Sequence, residues 1–136
     1  VITKFNPAGT NIMYSTYLGG SDADQPHSLV TDSDSNLVIL GVTASNNFPT
    51  TAGAYDQTFN GGVNLTEDGI TYGNGTDIFV VKLDGSGTAL LGSTYLGGSS
   101  NDGFSLNSSL KYNYADHARG EVILDAAEDV YIASST

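Results

Sequence analysis

The sequence predicts an all-β fold built from a four-stranded unit that occurs twice, and three observations carry that prediction. The first is an internal repeat: Ser15-Thr16-Tyr17-Leu18-Gly19-Gly20-Ser21 returns as Ser93-Thr94-Tyr95-Leu96-Gly97-Gly98-Ser99, 78 positions later. The same spacing pairs Lys4 with Lys82, Gly9 with Gly87, Thr10 with Thr88 and Asp24 with Asp102. The second is that no segment sustains an apolar period near about 3.6 residues, so long helices are not expected. The third is the run Asn36 to Thr43, apolar on both faces, with Leu37, Ile39 and Gly41 on one and Val38, Leu40 and Val42 on the other. Such a strand belongs between two layers. A unit copied at a fixed spacing cannot bury its apolar surface alone and stacks on its neighbours.

Each element follows in order. Residues 1–6 alternate, with Val1, Thr3 and Phe5 on one face, and Asn6-Pro7-Ala8-Gly9 ends that strand in a turn. Asn11 to Leu18, rich in β-branched and aromatic residues, is a second strand closed by Gly19-Gly20. His27 to Thr31 is a third, and Asp32-Ser33-Asp34-Ser35-Asn36 is a hairpin connector leading into the fourth. Residues 44–77 hold turn formers interspersed with Phe48, Tyr55, Phe59 and Tyr72, which marks an ordered connection. The cycle restarts at Asp77: Ile78 to Leu83, a turn at Asp84-Gly85-Ser86-Gly87, then Ala89 to Leu96. The second copy next gains 15 residues around Leu106 to Gly120, and its fourth strand runs from Asp129 to Ser134.

Four-stranded units that stack face to face are the blades of a β-propeller. The expectation is two four-stranded antiparallel blades: a first at residues 1–57, a connecting insertion at 58–76, and a second at 77–136 carrying the extra segment at 106–120. Propellers close with about four to eight blades, so this pair is expected to be a fragment of a larger propeller in a longer chain.

Composition removes several function classes. Fifteen acidic against four basic residues give a formal charge of −11, which repels nucleic-acid phosphates and anionic membranes. No apolar run approaches the ~20 residues of a membrane helix, so membrane insertion is not expected. There is no cysteine, and with it no disulfide, thiolate metal site or thiol nucleophile.

The stretches TKFNPAGTNIMYSTYLGGSDAD and DIFVVKLDGSGTALLGSTYLGGSSND, with DSDSNLVILGVTAS and FPTTAGAY, resemble the bacterial beta-propeller repeat family called SBBP. Ser35 stands where that family usually has Gly, Asp125 to Asp129 has neither its Gly nor its Asn, and residues 60–76 and 106–120 look like insertions without a counterpart. The resemblance implies an exported bacterial protein, extracellular or on the cell surface, whose repeats act as structural, adhesive or interaction modules. It brings no shared catalytic residues.

Candidate chemistry is sparse. Asp32, Asp34 and Asn36 alternate oxygen side chains as a calcium loop does, but no distal bidentate carboxylate accompanies them, so a self-capped turn is expected and no cofactor. Asp22, Asp24 and Asp102, after the Gly-Gly pairs, read the same way. His27 and His117, the only histidines, lack ligand spacing and a nucleophile motif, so no enzyme activity is expected. Three sequons, at Asn64, Asn74 and Asn107, read as unmodified turns. Tyr112, Tyr114, His117 and Arg119 concentrate aromatic and basic groups in the unit-specific segment, where recognition tends to be placed on a repetitive scaffold. They are the candidate contacts for a protein or glycan partner, or for neighbouring blades or domains of the same longer chain. The leading expectation is a non-catalytic structural or adhesive segment; the alternatives are a glycan-binding or glycan-processing propeller and a calcium-stabilised surface scaffold.

Overall fold

In a computed structural model the described residues are 1–106, 116–118 and 120–136. Among them run ten strands: β1 (Ile2–Phe5), β2 (Ile12–Thr16), β3 (Asp24–Thr31), β4 (Leu37–Thr43), β5 (Leu65–Glu67), β6 (Ile70–Tyr72), β7 (Asp77–Leu83), β8 (Leu90–Leu96), β9 (Glu121–Leu124) and β10 (Val130–Ala133). Every strand pairing is antiparallel, and the only helical element among the described residues is the 3-10 turn Asp116–Ala118. The all-β prediction holds.

The grouping of strands differs from the one expected. Instead of one four-stranded sheet per copy, a single four-stranded sheet forms in the order β3-β4-β7-β8, flanked by the pairs β1-β2 and β9-β10. The boundary between the copies therefore falls inside a sheet, and the division at 57 and 77 does not separate two blades. The physical reason lies at Gly19-Gly20. The Gly20 N–H donates to Asp24 Oδ2 at 2.7 Å, and this capped turn carries the chain from β2 into another layer rather than into a hairpin. β4 is buried throughout and β7 nearly so. Two strands that are apolar on both faces find equal burial beside each other, and they pair over seven positions from Leu37↔Leu83 to Thr43↔Asp77.

The result is three layers. On one face of the central sheet, Leu37, Ile39, Phe79, Val81 and Tyr95 pack with Ile2 of β1 and Tyr14 of β2. On the other, Val38, Leu40 and Ile78 pack with Val122 and Leu124 of β9 and Ile132 of β10. Gly41 admits the close approach this needs: a Cβ there would sit 2.3 Å from the Gln25 carbonyl oxygen and 2.5 Å from the Phe79 ring. That ring is stacked in turn on Phe48 at 4.5 Å.

The connection after β4 holds a small hairpin, β5-β6, around Asp68-Gly69. Both turn residues have positive φ, 50° and 80°, as a two-residue turn matched to strand twist requires. The Asp-Gly dipeptide was the local signal for it. The hairpin delivers Tyr72 into a third cluster with Val42, Ala44 and Phe104.

Candidate functional site

The repeated carboxylates hold turns, and they do so identically in both copies. In the β3-β4 hairpin Asp32 Oδ1 accepts the N–H groups of Asp34 and Asn36 at 3.0 and 2.8 Å. In the β9-β10 hairpin Asp125 Oδ1 accepts those of Ala127 and Asp129 at 2.9 and 3.0 Å. Ser35 and Glu128 occupy the matching left-handed position, with φ 65° and 67°, where a glycine would sit without strain. Asn6 and Asp84 each cap their own turn through two backbone N–H groups, Thr10 and Asn11 in one case, Thr88 and Ala89 in the other. Asp24 and Asp102 take the second glycine N–H of each Gly-Gly pair.

Asp32 carries a further load. Lys82, from the central sheet, reaches its Oδ2 at 2.6 Å, and Asn36 Nδ2 donates to the same oxygen at 2.9 Å. The lysine's hydrogen bond holds the Asp32 carboxyl down to about 2. The Asp84 carboxyl lies well below the usual range because the Ser86 hydroxyl and backbone N–H groups bond its charged form, and Asp125 is lowered chiefly by the Asp129 N–H. Of the candidate metal set Asp32, Asp34 and Asn36, the structure brings Asp32 and Asn36 together as acceptor and donor, and Asp34 contributes its backbone N–H. A lysine ammonium already occupies the place beside Asp32 that a cation would take.

One carboxylate that the sequence reading did not single out is the most enclosed. Asp77, at the start of β7, has no exposed surface and accepts the N–H groups of Asn60 and Gly61 at 2.7 and 2.8 Å. Burial pushes its pKa up. Its side chain ties the 60–76 insertion to the sheet. Its donors Asn60 and Gly61 lie in an insertion that the repeat does not contain, which is why the repeat gave no signal.

The two insertions meet at this end of the sheet. His117 Nε2 lies 2.9 Å from Asp68 Oδ2 in the β5-β6 turn, its ring stacks on Phe104 at 6.4 Å, and its carbonyl oxygen accepts the Ser105 N–H. Phe104 also meets Tyr72 and His27 edge-on. Burial lowers the pKa of His27, whose Nε2 is enclosed without a hydrogen-bond partner among the described residues. Tyr72 donates to Gln25 Oε1 at 2.7 Å. Of the expected partner contacts, His117 thus sits half-buried against the other insertion, while Tyr112, Tyr114 and Arg119 lie outside the described residues. At Phe104 opens a cleft of about 620 Å³, lined by Ser99, Ser100, Asn101, Phe104, Ser105 and Leu106 among others. Its polar lining is hydroxyl and amide, suited to hydrogen bonding with a neutral ligand.

Tyr95 is the other residue whose role becomes visible only in three dimensions. Its hydroxyl donates to the Ser45 carbonyl oxygen at 2.8 Å and accepts the Phe48 N–H at 3.0 Å, pinning the segment that leaves β4. Tyr17, its copy in the repeat, is 91% exposed against 1% for Tyr95.

Residues 14–49 match the family described as Beta-propeller repeat, SBBP; the matched stretch runs from within β2 to just beyond β4. No curated protein and no solved structure matches the chain.

Proposed function

From a chain that carries an SBBP beta-propeller repeat at residues 14–49, we infer a non-catalytic scaffold that serves structure and interaction in an exported bacterial cell-surface protein. The observation that supports this reading is the duplicated capping: Asp24 and Asp102, Asp32 and Asp125, and Asn6 and Asp84 hold the same backbone groups in each copy. Side chains kept for shape alone build a frame, and a frame frees its loops to recognise. The insertions at 60–76 and 106–120 are the variable part, and the segment around Tyr112, Tyr114, His117 and Arg119 is where a partner is to be engaged. Labelling intact cells of the producing organism with an antibody against this chain tests the export half. Label on intact cells is expected, and label appearing only after permeabilisation overturns it.

The cleft favours a second reading, in which the hydroxyls of Ser99, Ser100 and Ser105 bind a neutral glycan. Titration of the chain with neutral oligosaccharides, followed by isothermal calorimetry, tests it. Ser100→Ala with Ser105→Ala should weaken any binding at least tenfold, and heats that are unaffected by that change remove the cleft from consideration.

A further inference from the structure

β3 carries one residue more than its partner strand. Pro26 pairs with Gly41 and Ser28 with Leu40, which leaves His27 as the unmatched residue of a β-bulge. A bulge re-aims a side chain, and the imidazole here meets the Phe104 ring edge-on at 6.1 Å. Its Nε2 is enclosed and finds no hydrogen-bond partner. The alignment that sets Asp32 on Asp125 sets His27 on Gly120, so the second copy has no such ring.

Phe104 is what holds the two insertions to the sheet. It is 3% exposed and packs with Val42 and Ala44 at the end of β4 and with Tyr72 of β6. The preceding Gly103 is pressed so closely on β4 that a Cβ there would sit 2.0 Å from Val42 Cγ1. Phe104 also stacks on His117, whose Nε2 lies 2.9 Å from Asp68 Oδ2 and 4.0 Å from Glu67 Oε2 in the β5-β6 hairpin. The His117 carbonyl oxygen accepts the Ser105 N–H at 2.8 Å and closes the clasp.

The charges around this clasp are unevenly placed. Asp68 and Glu67 face His117, not His27. On β3 itself Asp24 is committed to the Gly20 N–H and Thr43, and on the Phe104 segment Asp102 is committed to the Gly98 N–H. Tyr72 gives its hydroxyl proton to Gln25. Among the described residues the charge that acts on His27 is that of His117, which has the same sign.

We propose that His27 is an acid-sensitive release: a proton taken up at Nε2 favours withdrawal of the imidazole from Phe104 and parting of the Phe104–His117 clasp from a sheet that stays paired. With the ring proton on Nδ1, Nε2 is a bare acceptor, which the enclosure tolerates. A second proton puts an N–H and a positive charge where there is neither acceptor nor counter-charge. Burial accordingly lowers the pKa of His27. Between that lowered value and the ordinary one of about 6.5, the closed form binds fewer protons than the open form, so its advantage is complete above about pH 6.5 and is lost as pH falls. Each pH unit below about 6.5 at which the enclosed ring stays neutral favours opening by up to about tenfold. Asp32, held at about 2, titrates far below this range. Opening uncovers Val42, Ala44 and Tyr72 and the facing sides of both insertions. The device goes beyond the scaffold reading and does not need it, since an intracellular location leaves the release intact.

Native-state hydrogen exchange, corrected for intrinsic rates, tests the proposal at about pH 7.5 and about pH 5.5, on either side of the ordinary histidine value. Protection of the Ser105 N–H should fall about three- to tenfold between the two, while the β4-β7 ladder keeps its protection. His27→Phe, which retains a ring and cannot titrate, should abolish the fall, and His117→Gln should retain it. His27→Gln provides a second non-titrating side chain should the phenylalanine variant not fold. Ser105 protection that is equal at both pH values in the unsubstituted chain overturns the proposal. So does a fall that persists without His27, one that disappears with His117→Gln, or one shared equally by the ladder.

Discussion

Tyr17 and Tyr95 occupy the same place in the repeat, and replacing each by phenylalanine should have very different consequences. Tyr95→Phe keeps the ring in its packing but removes the hydroxyl that serves both the Ser45 carbonyl oxygen and the Phe48 N–H. Ser45 is fully buried and Phe48 nearly so, so water does not replace the lost partner. The Phe48 N–H and the Ser45 carbonyl oxygen keep their own bond at 3.3 Å, so neither is left bare, and two lost buried hydrogen bonds at about 0.5–1.5 kcal/mol each set the expected loss at about 1–3 kcal/mol. With unfolding entropy of about 2.1 cal/mol/K per residue, a chain of this length loses about 3.5 °C of Tm per kcal/mol, which puts the drop at about 3.5–10 °C. Tyr17→Phe, at an exposed site, should stay within about 0.5 kcal/mol. Urea unfolding followed by circular dichroism, with matching thermal melts, measures both. Equal shifts in the two variants, or a Tyr95→Phe shift below about 2 °C, would refute the assignment of Tyr95 as the pin of the β4 exit.

Acid should unfold the protein in a defined window. Asp32 is held at about 2 against an ordinary 3.8, so its contribution is complete above about pH 4 and is lost as pH falls through its folded value. Asp84, Asp125 and Glu128 are lowered and act in the same direction. Asp77 is raised, so its contribution runs the other way and is lost as pH rises through its folded value. Melting temperature should fall steeply between pH 4 and about 2, and Asp32→Asn should flatten that slope; an unchanged slope contradicts the Lys82 assignment. Gly41→Ala should destabilise by at least about 1–3 kcal/mol through overpacking against Phe79 and the Gln25 carbonyl, while Gly98→Ala, with open space around it, serves as the control in the same denaturant titration. Millimolar Ca²⁺ should leave the melting temperature unchanged, because Lys82 and Asn36 already engage the Asp32 carboxylate; a rise that chelation reverses would mean that the cation displaces the lysine.

The strands were legible because side-chain alternation is a local property. Leu37 to Val42 announces burial on both faces whatever lies beside it, and Asp32 to Asn36 announces a turn whose carboxylate bonds its own backbone. Adjacency is not local. A repeat states that β2 is equivalent to β8, and it does not state that β4 lies against β7 across the whole 44–76 connection. Tyr17 and Tyr95 make the same point, being identical in sequence context and opposite in burial because only one of them faces the segment that leaves β4. Asp77 was hidden for a related reason: its two donors, Asn60 and Gly61, come from an insertion that the repeat does not contain. The small hairpin at Asp68-Gly69 was within reach of a local reading, since the dipeptide marks a two-residue turn.

The seam between the copies has a consequence for how such a gene changes length. The seven β4-β7 pairs are set by the strands themselves, and the polypeptide that joins those strands loops out as residues 44–76. Insertions between the points that anchor this loop to the sheet, Phe48, Asn60-Gly61 and Tyr72, lengthen it without moving a rung of the ladder, whereas loss of an anchor bares the sheet. A repeat of this kind is thereby able to diversify the stretches between its anchors from one copy to the next while the hydrogen-bonded frame is inherited unchanged.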